Sequence, residues 1–228
     1  MILTILLCSA TQALFTGILD ILTVGVIGKL VGTREVSAFV VVNLLVQATA
    51  KLVAGSHEAI YTVGSHAIGA KKPRLAGKYV QIAALLYMIT YIPFALIWAF
   101  YLGDTILWFE FDEETARIGH QYGYVLLVDH FINGVGEAIH ALLDVAGLEN
   151  YSTFIGAIEE TVAFLTILVW ALVGSPSLLA IGLVQFGMGI VFLGLNVFII
   201  WRRGWFKKYR DGLIGTFALL VCMCCHKC

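Results

Sequence analysis

The sequence predicts an all-α polytopic membrane protein: six transmembrane helices, then a short, incomplete seventh apolar segment. Three observations lead there. The chain of 228 residues is 60% hydrophobic and 13% charged, with a mean hydropathy of +0.93. Soluble domains are roughly 45–50% apolar and about 25% charged, so this chain has too little polar surface for water. Its apolar residues are gathered into six stretches, each long enough for the roughly 20 residues a helix needs to cross a bilayer. Lys and Arg gather in alternate loops.

The six spans fall at 4–28, 37–64, 76–102, 118–146, 153–173 and 178–201. KLVGTRE, GAKKPRLAGK, GDTILWFEFDEET, GLENYS, GSPS and WRRGWFKKYR mark the breaks and the end. A helix closes its backbone hydrogen bonds within itself, which hydrocarbon demands, and the alternating short strands of a membrane barrel are not visible. Apolar residues after Arg210 run from Leu213 to about Cys225, too short for a comfortable crossing. We therefore expect a transmembrane unit over 1–210 and a truncated, Cys-rich tail over 211–228.

Short loops rich in Lys and Arg stay cytoplasmic. The segment 69–78 carries Lys71, Lys72, Arg74 and Lys78, and 202–210 carries Arg202, Arg203, Lys207, Lys208 and Arg210. Six crossings put both on one side, together with the N-terminus. Asp104, Glu110, Asp112, Glu113 and Glu114 then fall opposite. The choice between plasma and organellar membrane stays open. A net charge of −1 gives no sign of a nucleic-acid partner.

Several ionisable residues lie inside the spans: Asp20, Lys51, Glu58, Asp129, Glu137, Asp144, Glu159 and Glu160, with His57, His130 and His140. Four or five of them facing lipid would cost on the order of 10–15 kcal/mol. They are expected to face a protein interior or a wet cavity instead. His130, Asn133, Glu137, His140 and Asp144 are spaced three or four apart, which puts them on one face of a helix. Ser9, Gln12, Thr16, Asp20 and Thr23 repeat this on the first span, and Asn43, Gln47, Lys51 and Glu58 on the second.

Three such stripes imply a shared polar interior. Asp20, Glu137 and Asp144 are the candidates for cation or proton coupling, since a carboxyl at mid-depth is an ion- or proton-handling group by default. Gln12, Thr16, Asn43, Gln47, Glu58, Asn133 and His140 are candidates to line the cavity. For the small polar residues among them, interhelical hydrogen bonding is the competing reading. His57 and His130 are given no role. Of Glu159 and Glu160, one is expected to be only a neighbour.

GSHAIGAKKPRLAGKYVQIA, preceded by GVIGKLVGTREVSAF, resembles the multidrug and toxic compound extrusion (MATE) transporters. The likeness lies in an acid in the first span, a small-residue turn into the second, and Gly69-Ala70 followed by Gly77 and Gln81. It continues through YIPFALIWAF, the Tyr122–Val125 entry to the fourth span and ALLDVAGLENYSTF, covering about 10–210. The resemblance implies one six-helix lobe of a twelve-helix, two-lobed exporter with a central cavity. Such proteins expel organic cations and other small molecules in exchange for protons or sodium, without a further cofactor. Asp20 falls where several members carry a coupling acid.

There are departures. His66 stands where the family often has Gln, the first span lacks its early proline, and Glu149, Asn150 and Tyr151 follow Gly147 where proline is frequent. The chain also holds a single lobe. A truncated product, a lobe that dimerises and a non-transporting lobe are all compatible with that. The partners expected are lipid, a small-molecule substrate, and either a C-terminal lobe or a second copy.

The Cys-rich ending reads as non-native sequence, a palmitoylation site or a soft-metal site. The sequence admits two other functional classes. A structural or regulatory subunit is one. The other is an intramembrane metal enzyme built on the E-x-x-H pair Glu137–His140, but dimetal bundles need two such pairs and the chain has one. No nucleophile motif or phosphate-binding loop appears, so no enzymatic activity is predicted.

Overall fold

A computed structural model describes residues 2–173 and 177–209, with side chains from Ala13 onward. Gln12, the segment 210–228 and the reading of its cysteines lie outside the described side chains. Described residues form seven α-helices: α1 (Ile2–Val26), α2 (Thr33–Val53), α3 (Gly55–Gly69), α4 (Pro73–Trp108), α5 (Glu113–Val145), α6 (Glu149–Val173) and α7 (Leu178–Arg203). A π-helical turn, Ile27–Val31, ends α1.

Six spans are long and apolar enough to cross a membrane, with α2 and α3 together making the second. Only 11–33% of each apolar window is buried, so the remaining apolar surface needs a non-aqueous solvent. The protein is an integral, multi-pass membrane protein.

Two local differences from the sequence expectation have physical causes. The second span is interrupted at Ala54, where Gly55 gives the weakest helix-forming position. The amides of His57 and Glu58 both turn back onto the Ala54 carbonyl. The basic stretch expected as loop is largely helix, because Pro73 sits at the first position of α4, where its missing amide costs nothing. Lys71 takes the left-handed conformation, φ 58°, and the Lys72 amide bonds to the Ala67 carbonyl at 2.9 Å. That is the Schellman closure of α3.

The acidic turn between α4 and α5 is likewise shorter than expected. Asp112 accepts a hydrogen bond from Thr115 and an ion pair from Arg34 Nε at 3.2 Å. The Thr115 hydroxyl first, and the Arg34 guanidinium after it, hold its carboxyl below the ordinary aspartate range. A group held low contributes stability that is complete above its unfolded pKa, about 3.9, and lost as pH falls through the folded value. Thr115→Ala should therefore move the Asp112 titration upward, read by NMR of the labelled aspartate. An unchanged midpoint would remove the hydroxyl from the account.

The chain divides into two compact units. One comprises the chain up to Ala50 with Pro93–His130 and Thr153–Phe192; the other comprises Lys51–Ile92, Phe131–Ser152 and the chain from Leu193. In the first, small residues let helices close in. A Cβ on Gly119 would come within 2.6 Å of Ile106 and 3.2 Å of Val42, and Ala38, Val42, Leu102 and Ile106 are buried. Close approach through small residues is how helices associate without a hydrophobic drive from water. Trp98 Nε1 donates to Thr49 Oγ1 at 2.9 Å, tying α4 to α2. The Ala99 carbonyl lies 3.0 Å from both His120 Nε2 and the Tyr124 hydroxyl, tying α5 to α4.

The second unit has its own core, made of Ile60, Ala67, Ala76, Val80, Ala83, Ala138, Ala141, Leu142 and Tyr209. Gly77 is needed there: a Cβ would stand 2.6 Å from the Tyr209 carbonyl oxygen, a backbone atom that cannot rotate away. Tyr87 sits over Gly134 so closely that a Cβ there would enter the ring. The same ring packs tilted against His57 (centroids 4.6 Å) and stacks on Tyr91 (5.6 Å).

Candidate functional site

Within the first unit, α1, α2, α5, α6 and α7 enclose a cavity of about 490 Å³. Its polar lining comes from Asp20, Asn43, Gln47, Asp129, Glu160 and Gln185, with Thr23, Tyr122 and His130 beside them. Tyr122 is buried, and its hydroxyl accepts a hydrogen bond from Asn43 Nδ2 at 3.1 Å. Gly182 makes room for it, since a Cβ would come within 2.9 Å of the Tyr122 ring. Asp129 lies within electrostatic reach of that tyrosine.

Asp20 and Glu160 also interact electrostatically across the cavity. Asp20 remains exposed, while Glu160 is half-buried. Carboxylates from α1, α5 and α6, with the amides of Asn43, Gln47 and Gln185, offer oxygen donors suited to a proton or a hard cation.

Of the sequence candidates, Asp20, Asn43 and Gln47 meet in this cavity. Thr16 is on α1 but is not part of the lining. Glu58, Asn133, Glu137, His140 and Asp144 belong to the second unit. Along the α5 stripe, His130 lines the first unit's cavity, and the later residues belong to the second unit.

There the Tyr61 hydroxyl donates to Asp144 Oδ2 at 3.1 Å, and Ser152 also hydrogen-bonds the Asp144 carboxyl. His140 Nδ1 lies 3.0 Å from Ser152 Oγ. Glu137 and Glu58 are within electrostatic reach of Tyr61. A hydroxyl has one proton and two lone pairs, so this chain accepts either protonation state. With Asp144 ionised, Ser152 donates to it and accepts from His140; with Asp144 protonated, both donors reverse.

The sequence assigns no role to Gln185, Tyr61 or Ser152, nor to Glu160, Asp129 or His57. Spacing leaves Glu159 and Glu160 undistinguished, and Glu160 lines the cavity. Asp129 was counted among the intramembrane charges only. His57, to which the sequence gives no role, is buried (7% exposed) against Tyr87 and feels Glu137. Its Nε2 has no hydrogen-bond partner among the described residues. No signal in the sequence separates it from a packing histidine, because its neighbours come from α4 and α5.

Among the described residues, no three His, Cys, Asp or Glu side chains gather as metal ligands.

No curated protein and no solved structure matches the chain. The MatE family model matches residues 8–163, from within α1 to within α6, which takes in Asp20, Asp129 and Glu160 as well as Glu137, His140 and Asp144. Six apolar spans, carboxylates gathered inside them and this match agree: the chain belongs to the MatE family, a family of membrane transporters rather than enzymes.

Proposed function

We propose that this chain is the N-terminal lobe of a secondary exporter that moves small organic molecules out of the cytoplasm in antiport with protons or sodium. The observation that carries the reading is the meeting of Asp20, Glu160 and Asp129 in one intramembrane cavity. Two facing carboxylates hold one proton or cation more tightly than either alone, because neutralising one relieves repulsion of the other. Release on the opposite side would follow rocking of this lobe against its partner, a second lobe or a second copy. The basic segments 69–78 and 202–210 and the N-terminus are assigned to the cytoplasm on the charge rule.

Glu137, His140 and Asp144 take a second role in the same proposal, as proton-exchanging groups linked by Ser152 and Tyr61. Asp144→Asn should shift the pH dependence of transport, while Tyr61→Phe, which keeps the carboxyl and loses one hydrogen bond, should change it less. Identical pH profiles for both variants and the wild type would reduce this network to packing.

The reading is tested in proteoliposomes containing the complete transporter, with a fluorescent organic cation inside and an imposed proton or sodium gradient. Gradient-driven efflux supports it. Efflux that is indifferent to both gradients would favour a scaffold role instead.

A further inference from the structure

Two basic segments far apart in sequence meet in the second unit. The Gly77–Tyr209 approach sets the start of α4 against the turn that follows α7. Residues 69–80 and 200–209 together carry Lys71, Lys72, Arg74, Lys78, Arg202, Arg203, Lys207 and Lys208, and no Asp or Glu. The charge rule accounts for the side on which such residues lie. It does not account for a cavity that Lys207 and Lys208 line.

That cavity has a volume of about 420 Å³ and is lined by Ala146, Leu148, Gly204, Trp205, Lys207, Lys208 and Tyr209. Each of these follows directly on the end of a span, α5 ending at Val145 and α7 at Arg203. The cavity therefore stands at the depth of the lipid headgroups. Its shape depends on Gly204, whose φ of 67° turns the chain back at the end of α7. The Trp205 amide bonds to the Ile200 carbonyl at 3.3 Å.

The stem of Lys207 lies over this glycine, 3.3 Å from where a Cβ would be. Lys208 Nζ sits 5.3 Å from the centroid of the Tyr209 ring. Both lysines are exposed, and among the described residues neither is paired with a carboxylate. The wall is fixed: Trp205 meets Tyr151 edge-on at 4.8 Å, and the Tyr151 hydroxyl donates to buried Asn196 at 3.1 Å.

We infer that this cavity binds the phosphodiester headgroup of an anionic phospholipid. Lys207 and Lys208 supply the charge for the phosphate. Ala146, Leu148 and the Trp205 indole supply an apolar floor for the glycerol and the first acyl carbons. Soluble phosphate shares the charge requirement but has no use for that floor, and basic pockets beside span ends are where such lipids are held.

The test uses the full chain purified in a neutral detergent. Dioctanoyl phosphatidylglycerol, dioctanoyl phosphatidylcholine or inorganic phosphate is added at matched concentrations. Retained ligand is counted by native mass spectrometry and stability by the thermal unfolding midpoint. Phosphatidylglycerol should be retained roughly tenfold or more over phosphatidylcholine and should raise the midpoint, while phosphate should not.

The double substitution Lys207→Gln with Lys208→Gln should abolish the preference. Lys29→Gln with Arg34→Gln, the same charge removed elsewhere, should keep it. Ala146→Phe, which fills the floor and keeps both lysines, should also lose it, so a poorly folding lysine variant would not spare the idea. Equal retention of the two lipids, protection by phosphate alone, or a preference that survives Lys207→Gln with Lys208→Gln would each overturn it.

Discussion

Asp20→Asn should abolish ion-driven export by the complete transporter while leaving the protein folded and inserted. The substitution preserves shape and hydrogen-bonding capacity but removes the charge that a proton or cation binds. Asp20 is exposed and lines the cavity, so little packing is lost with it. Glu160→Gln leaves Asp20 in place and removes one of two facing carboxylates. An ion that loses one such contact loses about 1.5–3 kcal/mol, roughly ten- to a hundredfold in affinity. The two variants should thus differ in kind: one silent at any gradient, the other restored by a larger gradient or lower pH.

Counterflow in proteoliposomes reads both. Transport by Asp20→Asn at the wild-type rate would remove the carboxylate from the coupling step, whatever the fate of Glu160.

The second large effect is on folding. Gly134→Ala puts a methyl group into the ring of Tyr87, which is 4% exposed and held between His57 and Tyr91. A buried ring in contact with two others must shift to admit it, and overpacking of this kind costs about 1–3 kcal/mol. Gly136→Ala, two residues along the same helix, makes the control. There a Cβ meets only Leu193, at an ordinary 3.7 Å, and alanine is the better helix former by about 1 kcal/mol. Gly134→Ala should lower the thermal unfolding midpoint in detergent and Gly136→Ala should hold or raise it. Equal losses would mean that α5 tolerates no change here for reasons unrelated to Tyr87. Partial rescue of Gly134→Ala by Tyr87→Leu, a smaller side chain, would locate the strain in the ring.

The spans were legible because crossing hydrocarbon imposes length and apolarity on every helix, and composition records both. The MATE resemblance was legible from the turn around Gly69-Ala70 and from Asp20. The partition of polar residues was not. Periodicity shows that His130 and Glu137 share a helix face, but it is blind to depth along the helix. The chain divides after His130, so one stripe serves two polar groups. Nor could spacing pair Tyr61 with Asp144, 83 residues away, or choose Glu160 over Glu159. These are long-range packing facts, set by helices that local sequence does not position. The break at Ala54 was missed for the opposite reason: Gly55 was visible, but an apolar run with one glycine reads as an unbroken span.

The length of α4 has a practical consequence. Its 36 residues extend about 54 Å at 1.5 Å per residue, against a hydrocarbon layer of about 30 Å. Even at a steep tilt of about 40° the hydrocarbon takes up only about 39 Å of that length, which leaves about 15 Å of helix for the headgroup layers on the two sides together. The tip joining α4 to α5 carries Glu110, Asp112, Glu113 and Glu114. A water-soluble antibody fragment can grip that tip without touching the cavity. Such a fragment gives a fiducial mark for imaging, and the side on which it binds reports which way the molecule was inserted.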